Sequence, residues 1–267
     1  MNTQAQQPAA ETIIEVQDFA AAYGDKTVLK DVNFTVQRGE VLVIAGGSGC
    51  GKSTMLFHMI GLYRPAAGRI SIQGQDVHAA AGKELENLRR QFGVAYQGGA
   101  LFGSMTVLEN VRLPLEEFTH LPREMMDLIS LSKLKLVGLE DAAQKLPSEL
   151  SGGMQKRAAL ARAIALDPPI VFLDEPSAGL DPITSAGLDE LILSFKRLLR
   201  TTFVVVTHEL QSIFAISDRV VFLDAAKQTV GAIGPAAWLR DNSPDAGVRA
   251  FFNRQSESQT QKETSKP

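Results

Sequence analysis

The stretch Gly46-Gly47-Ser48-Gly49-Cys50-Gly51-Lys52-Ser53 constrains this chain more than anything else in it. It fits G-x-x-x-x-G-K-[ST], and it stands between a short apolar run at 40–45 and a segment at 52–60 that reads as helix. Glycines let successive N–H groups curl toward one point without Cβ clashes, forming a nest for an anion. The helix that follows adds its positive dipole end at the same place. Lys52 then offers a compact charge for β- and γ-phosphates, Ser53 a hydroxyl for Mg²⁺, and Thr54 lies next in the helix. A strand that runs through a glycine loop into a helix is a piece of an α/β fold. Cys50 lies inside the loop as a small residue that fits there; because a helix N-terminus lowers a thiol's pKa, its modification is expected to block nucleotide binding.

The same alternation extends along the chain. Strands are predicted at 12–16, 32–36, 40–45, 69–72, 92–96, 170–173, 203–206, 219–223 and 230–233. The last two read as a hairpin followed by short helices. A helix is predicted at 182–199, where Leu188, Leu191, Ile192, Phe195, Leu198 and Leu199 form an apolar stripe. Such alternation implies a mostly parallel sheet flanked by helices. From Thr106 to about Ala165 the pattern is helical, punctuated by Pro114, Pro122 and Pro147. It is too long for a simple crossover and reads as a helical subdomain, about 98–165, inserted into the core. Residues 1–11 and 253–267 are polar and are expected to be disordered ends of a domain at 12–252, since they cannot bury enough surface to offset chain entropy.

Composition narrows the partners. With 27 basic and 30 acidic residues in 267, the net charge is −3, no basis for a dedicated nucleic-acid binder. A single cysteine rules out an internal disulfide, and His58, His78 and His120 show no metal-ligand spacing. No run of about 18 apolar residues is present to span a membrane, and the N-terminus does not read as a secretory signal, so a cytoplasmic protein is expected. The cations Lys156 and Arg157, and Lys196, Arg197 and Arg200, read as solvated helix faces.

At residues 170–175 an apolar strand ends in Asp174 and Glu175. Beside a phosphate loop, these acids divide the work: Asp174 for Mg²⁺, Glu175 to polarise the water that attacks the γ-phosphate. Ser151, Gly152 and Gly153 open a further helix with a hydroxyl and free N–H groups, a second anion site.

Leu150-Ser151-Gly152-Gly153-Met154-Gln155 resembles the signature sequence of ABC-transporter ATPases, and other family elements follow in order. Tyr23 sits where that family keeps an aromatic that stacks on adenine, and Gln97 resembles its Q-loop glutamine. Ser177-Ala178-Gly179-Leu180-Asp181 resembles the D-loop, and His208 the switch histidine. The resemblance implies the ABC ATPase fold: a P-loop NTPase core with an antiparallel β subdomain and an inserted helical subdomain. It implies hydrolysis of ATP with Mg²⁺ held by Ser53, Gln97 and Asp174, and catalysis by Glu175, His208 and Gln97. It also implies a homodimer in which ATP lies between the phosphate loop of one copy and the signature of the other, with Asp181 communicating across the seam.

The wording goes further. Gln97-Gly98-Gly99-Ala100-Leu101-Phe102, Ser104-Met105-Thr106-Val107, Pro114-Leu115, Thr119-His120-Leu121-Pro122 and the run 156–166 resemble the ATPase subunit of Mla- and Mce-type transporters, although members often carry Ser at the place of Gly98. That implies coupling to phospholipid movement between bacterial inner and outer membranes. The implied partners are a multipass permease, a periplasmic Mce-domain protein and, in many systems, a small STAS-domain protein. The implied location is the cytoplasmic face of the inner membrane. In the family the stretch after Gln97 lines a groove for a helix of the membrane subunit, so Leu101, Phe102, Met105, Leu108, Val111, Leu113 and Leu115 are expected to divide between groove and core. The alternatives are an ABC ATPase subunit for another solute and a soluble ABC ATPase acting on nucleic acid. One phosphate loop, no long heptad segment and no basic excess weigh against the latter.

Overall fold

Two sheets hold the phosphate-loop helix between them. The computed structural model describes residues 11–254. Strands β1 (Thr12–Tyr23), β2 (Lys26–Gln37), β4 (Ala67–Ile72) and β5 (Gln75–Asp76) form an antiparallel sheet in the order β2-β1-β4-β5. Strands β3 (Val41–Ala45), β6 (Phe92–Ala95), β7 (Ile170–Asp174), β8 (Thr202–Val206), β9 (Arg219–Asp224) and β10 (Thr229–Gly234) form the second, in the order β10-β9-β3-β8-β7-β6. All of its neighbours pair in parallel except β10, which returns antiparallel to β9.

Apolar runs without polar interruption are what a parallel sheet covered on both faces requires. In β3 and β7 every residue is buried, and alternate side chains enter different cores. Leu42, Ile44, Ile170 and Phe172 join Met55, Leu56 and Met59 of α1 (Lys52–Met59) and Ile14, Phe19 and Val36 of the antiparallel sheet. Val43, Val171 and Leu173 face the opposite way, toward Leu160, Ile192 and Phe195. These come from α5 (Gly152–Ala163) and α6 (Pro182–Leu199).

Between β6 and β7 run α3 (Val107–Phe118), α4 (Arg123–Leu136) and α5. Thr106 and Glu109 close the start of α3 reciprocally: the Glu109 N–H donates to Thr106 Oγ1 at 3.2 Å and the Thr106 N–H to Glu109 Oε2 at 2.8 Å. Arg112 of α3, buried, clamps Glu116 at 2.5 Å and Asp127 of α4 at 2.6 Å. Pro114, expected to punctuate, lies inside α3, whereas Pro122 caps α4. Gly93 lets β6 lie against the end of α5, because a Cβ there would fall on the Ala163 carbonyl oxygen.

Several elements differ from the sequence reading. The strands expected at 12–16 and 32–36 are parts of strands of 12 residues each. The alternation fades because β1 is irregular: Asp18 takes φ 47° and the register shifts between Val16 and Phe19 and again before Ala21 and Ala22. Helices α2 (Lys83–Arg90) and α7 (Leu210–Ile216) have no counterpart in that reading; α2 buries only Leu88, too little to print a periodic pattern. The chain closes with α8 (Ala236–Asn242) and α9 (Ala246–Phe252). The expectation of disordered ends falls largely on residues 1–10 and 255–267, outside those described. At the boundaries, Glu11 pairs with Arg38 at 2.8 Å and the Asn253 amide donates to the Arg240 carbonyl at 3.2 Å. Among the described residues no helix is long and apolar enough to cross a membrane.

Parallel register fixes where the site lies. Ile44 pairs with Val206, Val206 with Asp174 and Leu173 with Ala95, so four strands end together. The segments that leave those ends carry Gly46–Ser53, Gln97, Glu175 and His208. Crevices outside the carboxyl ends of parallel strands are where such sheets bind ligands.

Candidate nucleotide site

A cleft of about 690 Å³ opens at that edge. Its lining combines the phosphate loop and Ser53 and Thr54 with Gln97, Glu175 and His208. The loop owes its shape to Gly46, which has φ 149°; a Cβ there would stand 2.5 Å from the Leu223 carbonyl oxygen and 2.6 Å from Cys50 Sγ. Lys52 folds back over the loop and donates to the carbonyls of Gly46 and Gly47, each at 3.0 Å. Its ammonium is thereby held over the loop.

Cys50 is buried beneath the loop, and burial pushes its thiol pKa up, outweighing the lowering by Lys52 and by backbone N–H groups. This agrees with Cys50 as a small residue that fits rather than a thiol activated by the helix N-terminus: the side chain points into the packed interior, where a thiolate is costly.

Ser53 Oγ donates to Asp174 Oδ1 at 3.4 Å. Burial first, and the neighbouring Glu175 second, push the Asp174 carboxyl above its ordinary range. A hydroxyl and a single carboxylate side by side fit Mg²⁺, which keeps most of its shell as water and phosphate oxygen. Among the described residues no group of three or more His, Cys, Asp or Glu forms a self-sufficient metal cage.

Glu175 is held in an uncommon backbone state, φ 46°, that costs a residue of this type about 1–3 kcal/mol. Its N–H donates to the Val206 carbonyl at 2.8 Å, and its own carbonyl accepts from the Ala178 N–H at 3.2 Å. Oε1 lies 2.8 Å from His208 Nδ1, while Oε2 is buried with no hydrogen-bond partner. An unpartnered carboxylate oxygen beside a phosphate loop is an acceptor suited to the proton of an attacking water.

Tyr23, half exposed, does not line the cleft, but its hydroxyl lies 3.4 Å from Thr54 Oγ1, which does, and its ring is edge-on to Tyr63 at 6.0 Å. Ser151, Gly152, Gly153 and Asp181 do not line the cleft. Ser151 caps α5 by accepting from the Met154 N–H at 3.3 Å. Asp181 caps α6, accepting from the Ile183 and Thr184 N–H groups at 3.0 Å each, and the Thr184 hydroxyl lowers its pKa most.

Sequence reasoning missed Val28 and Phe251, which also line the cleft, and misplaced Lys156. Lys156 is half-buried and donates to the carbonyls of Gln97 and, at 3.3 Å, Glu175. Arg157 donates to the Val137 carbonyl at 3.2 Å, and Lys196 pairs with Asp218 at 2.5 Å. These three cations therefore tie elements together, whereas Arg197 and Arg200 are exposed as expected. The signal for Lys156 lay in its position one turn into the signature helix, which charge counting cannot weigh.

A family model described as ABC transporter matches residues 29–178. The chain belongs to the ABC transporter family. This ABC chain is 39% identical over 247 residues to the intermembrane phospholipid transport system ATP-binding protein MlaF of Haemophilus influenzae, covering 92% of each protein. Identity to MlaF of Escherichia coli K12 is 39% over 241 residues, 90% of this chain and 88% of that one. Identity to the probable ribonucleotide transport ATP-binding protein mkl of Mycobacterium tuberculosis H37Rv is 41% over 240 residues, 90% of this chain but only 66% of that protein. The ABC chain superposes on a dimeric ATP-binding cassette, MJ0796, in a post-hydrolysis state bound to ADP and Pi, with TM-score 0.76 and 32% identity over 84% of this chain and 98% of that one. The fold is accordingly that of an ABC ATPase cassette.

Proposed function

We propose that this chain is the ATP-hydrolysing subunit of a transporter that moves phospholipid between the two membranes of a bacterial envelope. The observation that carries the ATPase reading is the gathering of Lys52, Ser53, Asp174, Glu175 and His208 at one sheet edge. Lys52 and the loop N–H groups bind the β- and γ-phosphates, and Tyr23 supports the adenine. Ser53, Asp174 and Gln97 would hold Mg²⁺, which would supply charge neutralisation at the phosphates. Glu175 accepts the proton of the attacking water through Oε2, and His208 fixes the carboxylate by its contact with Oε1.

Two anion sites per chain, with the Ser151 site outside the cleft, support a head-to-tail homodimer that closes over two ATP molecules. Hydrolysis removes the γ-phosphate contacts and releases the closed state. The MlaF relatives, named for intermembrane phospholipid transport, support the phospholipid substrate, while a permease, a periplasmic Mce-domain protein and a STAS-domain protein as partners rest on the sequence resemblance described above. The chain would then sit at the cytoplasmic face of the inner membrane through its permease. An apolar groove of about 550 Å³ supports that docking: Phe92, Tyr96, Phe102, Leu113 and Phe118 line it, whereas Leu108, Val111 and Leu115 are core. The segment 98–165 acts in this reading as the transmitting subdomain. The mkl relative favours a second reading, transport of another solute by the same engine.

Purification of the tagged chain from membranes tests the substrate: an Mce-domain protein, a permease and bound phospholipid are expected, and a permease with no Mce-domain chain supports the second reading.

A further inference from the structure

A single ammonium joins the signature helix to the backbone of the residue that carries the catalytic carboxylate. Helix α5 begins at its cap Ser151, and Lys156 lies five residues on, about 7.5 Å along the axis. From there Nζ donates to two main-chain carbonyls, those of Gln97 and Glu175. Each belongs to a residue placed in the nucleotide cleft, on a different strand end.

The Glu175 carbonyl matters because of that residue's backbone. At φ 46° Glu175 persists only if its surroundings hold it. The Val206 carbonyl restrains its N–H, and the Ala178 N–H and Lys156 ammonium restrain its carbonyl. Lys156 is the charged member of that set, and it belongs to the helix that carries Ser151. Arg162, six residues further along α5, donates to the carbonyls of Gly99 at 2.9 Å and Ala100 at 2.8 Å, so the segment after Gln97 is tied to the same helix twice.

We infer that Lys156 is a positioning residue that fixes the backbone of Glu175 and Gln97 to the signature helix, so that the seating of Ser151 on a neighbouring copy's nucleotide is transmitted to the chain's own hydrolytic site. This rests on the nucleotide-site reading above. A rigid helix with an anion at its first turn and an ammonium on two carbonyls one turn later moves both contacts together. Loss of the ammonium frees Glu175 to leave the φ that aims its carboxylate, without removing any group that touches ATP.

The test uses the full chain with Lys156→Met and Lys156→Arg. Fluorescent ATP-analogue titration is expected to give Kd within about twofold of the parent for both. In Lys156→Met, kcat falls tenfold or more and the Hill coefficient for ATP drops toward one, whereas Lys156→Arg, which can still donate to both carbonyls, recovers most of kcat. Hydrogen exchange at the Ala178 amide, bonded to the Glu175 carbonyl, quickens in the Met variant alone. A kcat for Lys156→Met within twofold of the parent overturns the inference. So does a joint loss of binding, kcat and melting temperature that Arg does not rescue, which marks a packing role only. A parent chain that neither binds nor hydrolyses MgATP contradicts the nucleotide-site reading instead, and the inference falls with it.

Discussion

His208 Nδ1 lies 2.8 Å from Glu175 Oε1, so the imidazole and the carboxylate engage one another directly. The contact leaves Oε2 as the oxygen that receives a proton. Glu175→Gln is expected to keep ATP affinity, to lower turnover about 10²–10⁴-fold and to accumulate a closed dimer with ATP. Steady-state hydrolysis and size-exclusion chromatography check this together; near-normal turnover removes Glu175 as the base.

Lys52 donates its protons to the Gly46 and Gly47 carbonyls. Charge-assisted bonds to phosphate replace these on binding, and each is worth about 1.5–3 kcal/mol. Lys52→Ala is therefore expected to weaken MgATP binding by about 10–100-fold, read by equilibrium titration. Unchanged affinity contradicts the assignment of the phosphate loop.

The packing of β6 on α5 predicts a stability effect remote from the chemistry. A Cβ on Gly93 would fall on the Ala163 carbonyl oxygen, which is backbone and cannot swing away. Gly93→Ala should destabilise by about 1–3 kcal/mol or more. Denaturant unfolding measures it, and a cost near zero would mean that the two elements do not touch.

Asp189 of α6 is buried, with Oδ1 unpartnered. Burial pushes its pKa up, only partly offset by a hydrogen bond from Ser212. A carboxyl whose pKa is higher folded than unfolded favours folding while protonated, and that contribution is lost as pH rises from the ordinary aspartate value through the folded one. Asp189→Asn removes the dependence, so the variant gains on the parent from about pH 4 upward, each tenfold difference in proton affinity between the folded and unfolded carboxyl being worth about 1.4 kcal/mol. Melting curves across pH 4–8 check this; parallel curves for the two proteins contradict it.

The parallel core was legible because both faces of β3, β7 and β8 are buried, leaving uninterrupted Val, Ile, Leu and Phe in the sequence. Helix α2 was not, because it displays charge on nearly every face and buries Leu88 alone. The cleft residues on the phosphate loop, Gln97, Glu175 and His208 were legible as motifs. Phe251 was not, since it reaches the cleft from α9 by packing on Phe222 at 5.1 Å, a tertiary contact with no local sign. Lys156 was misread for the complementary reason: a cation looks alike in sequence whether water or a pair of carbonyls surrounds it.

The sharing of ATP between two copies of this chain underlies the roles proposed for Lys52 and Ser151. It is tested most directly by determining the structure of the Glu175→Gln protein with ATP and Mg²⁺. Ser151 of one copy is expected within about 3 Å of the γ-phosphate bound by Lys52 of the other. Ser151 facing solvent, with each nucleotide enclosed by one chain alone, would contradict it.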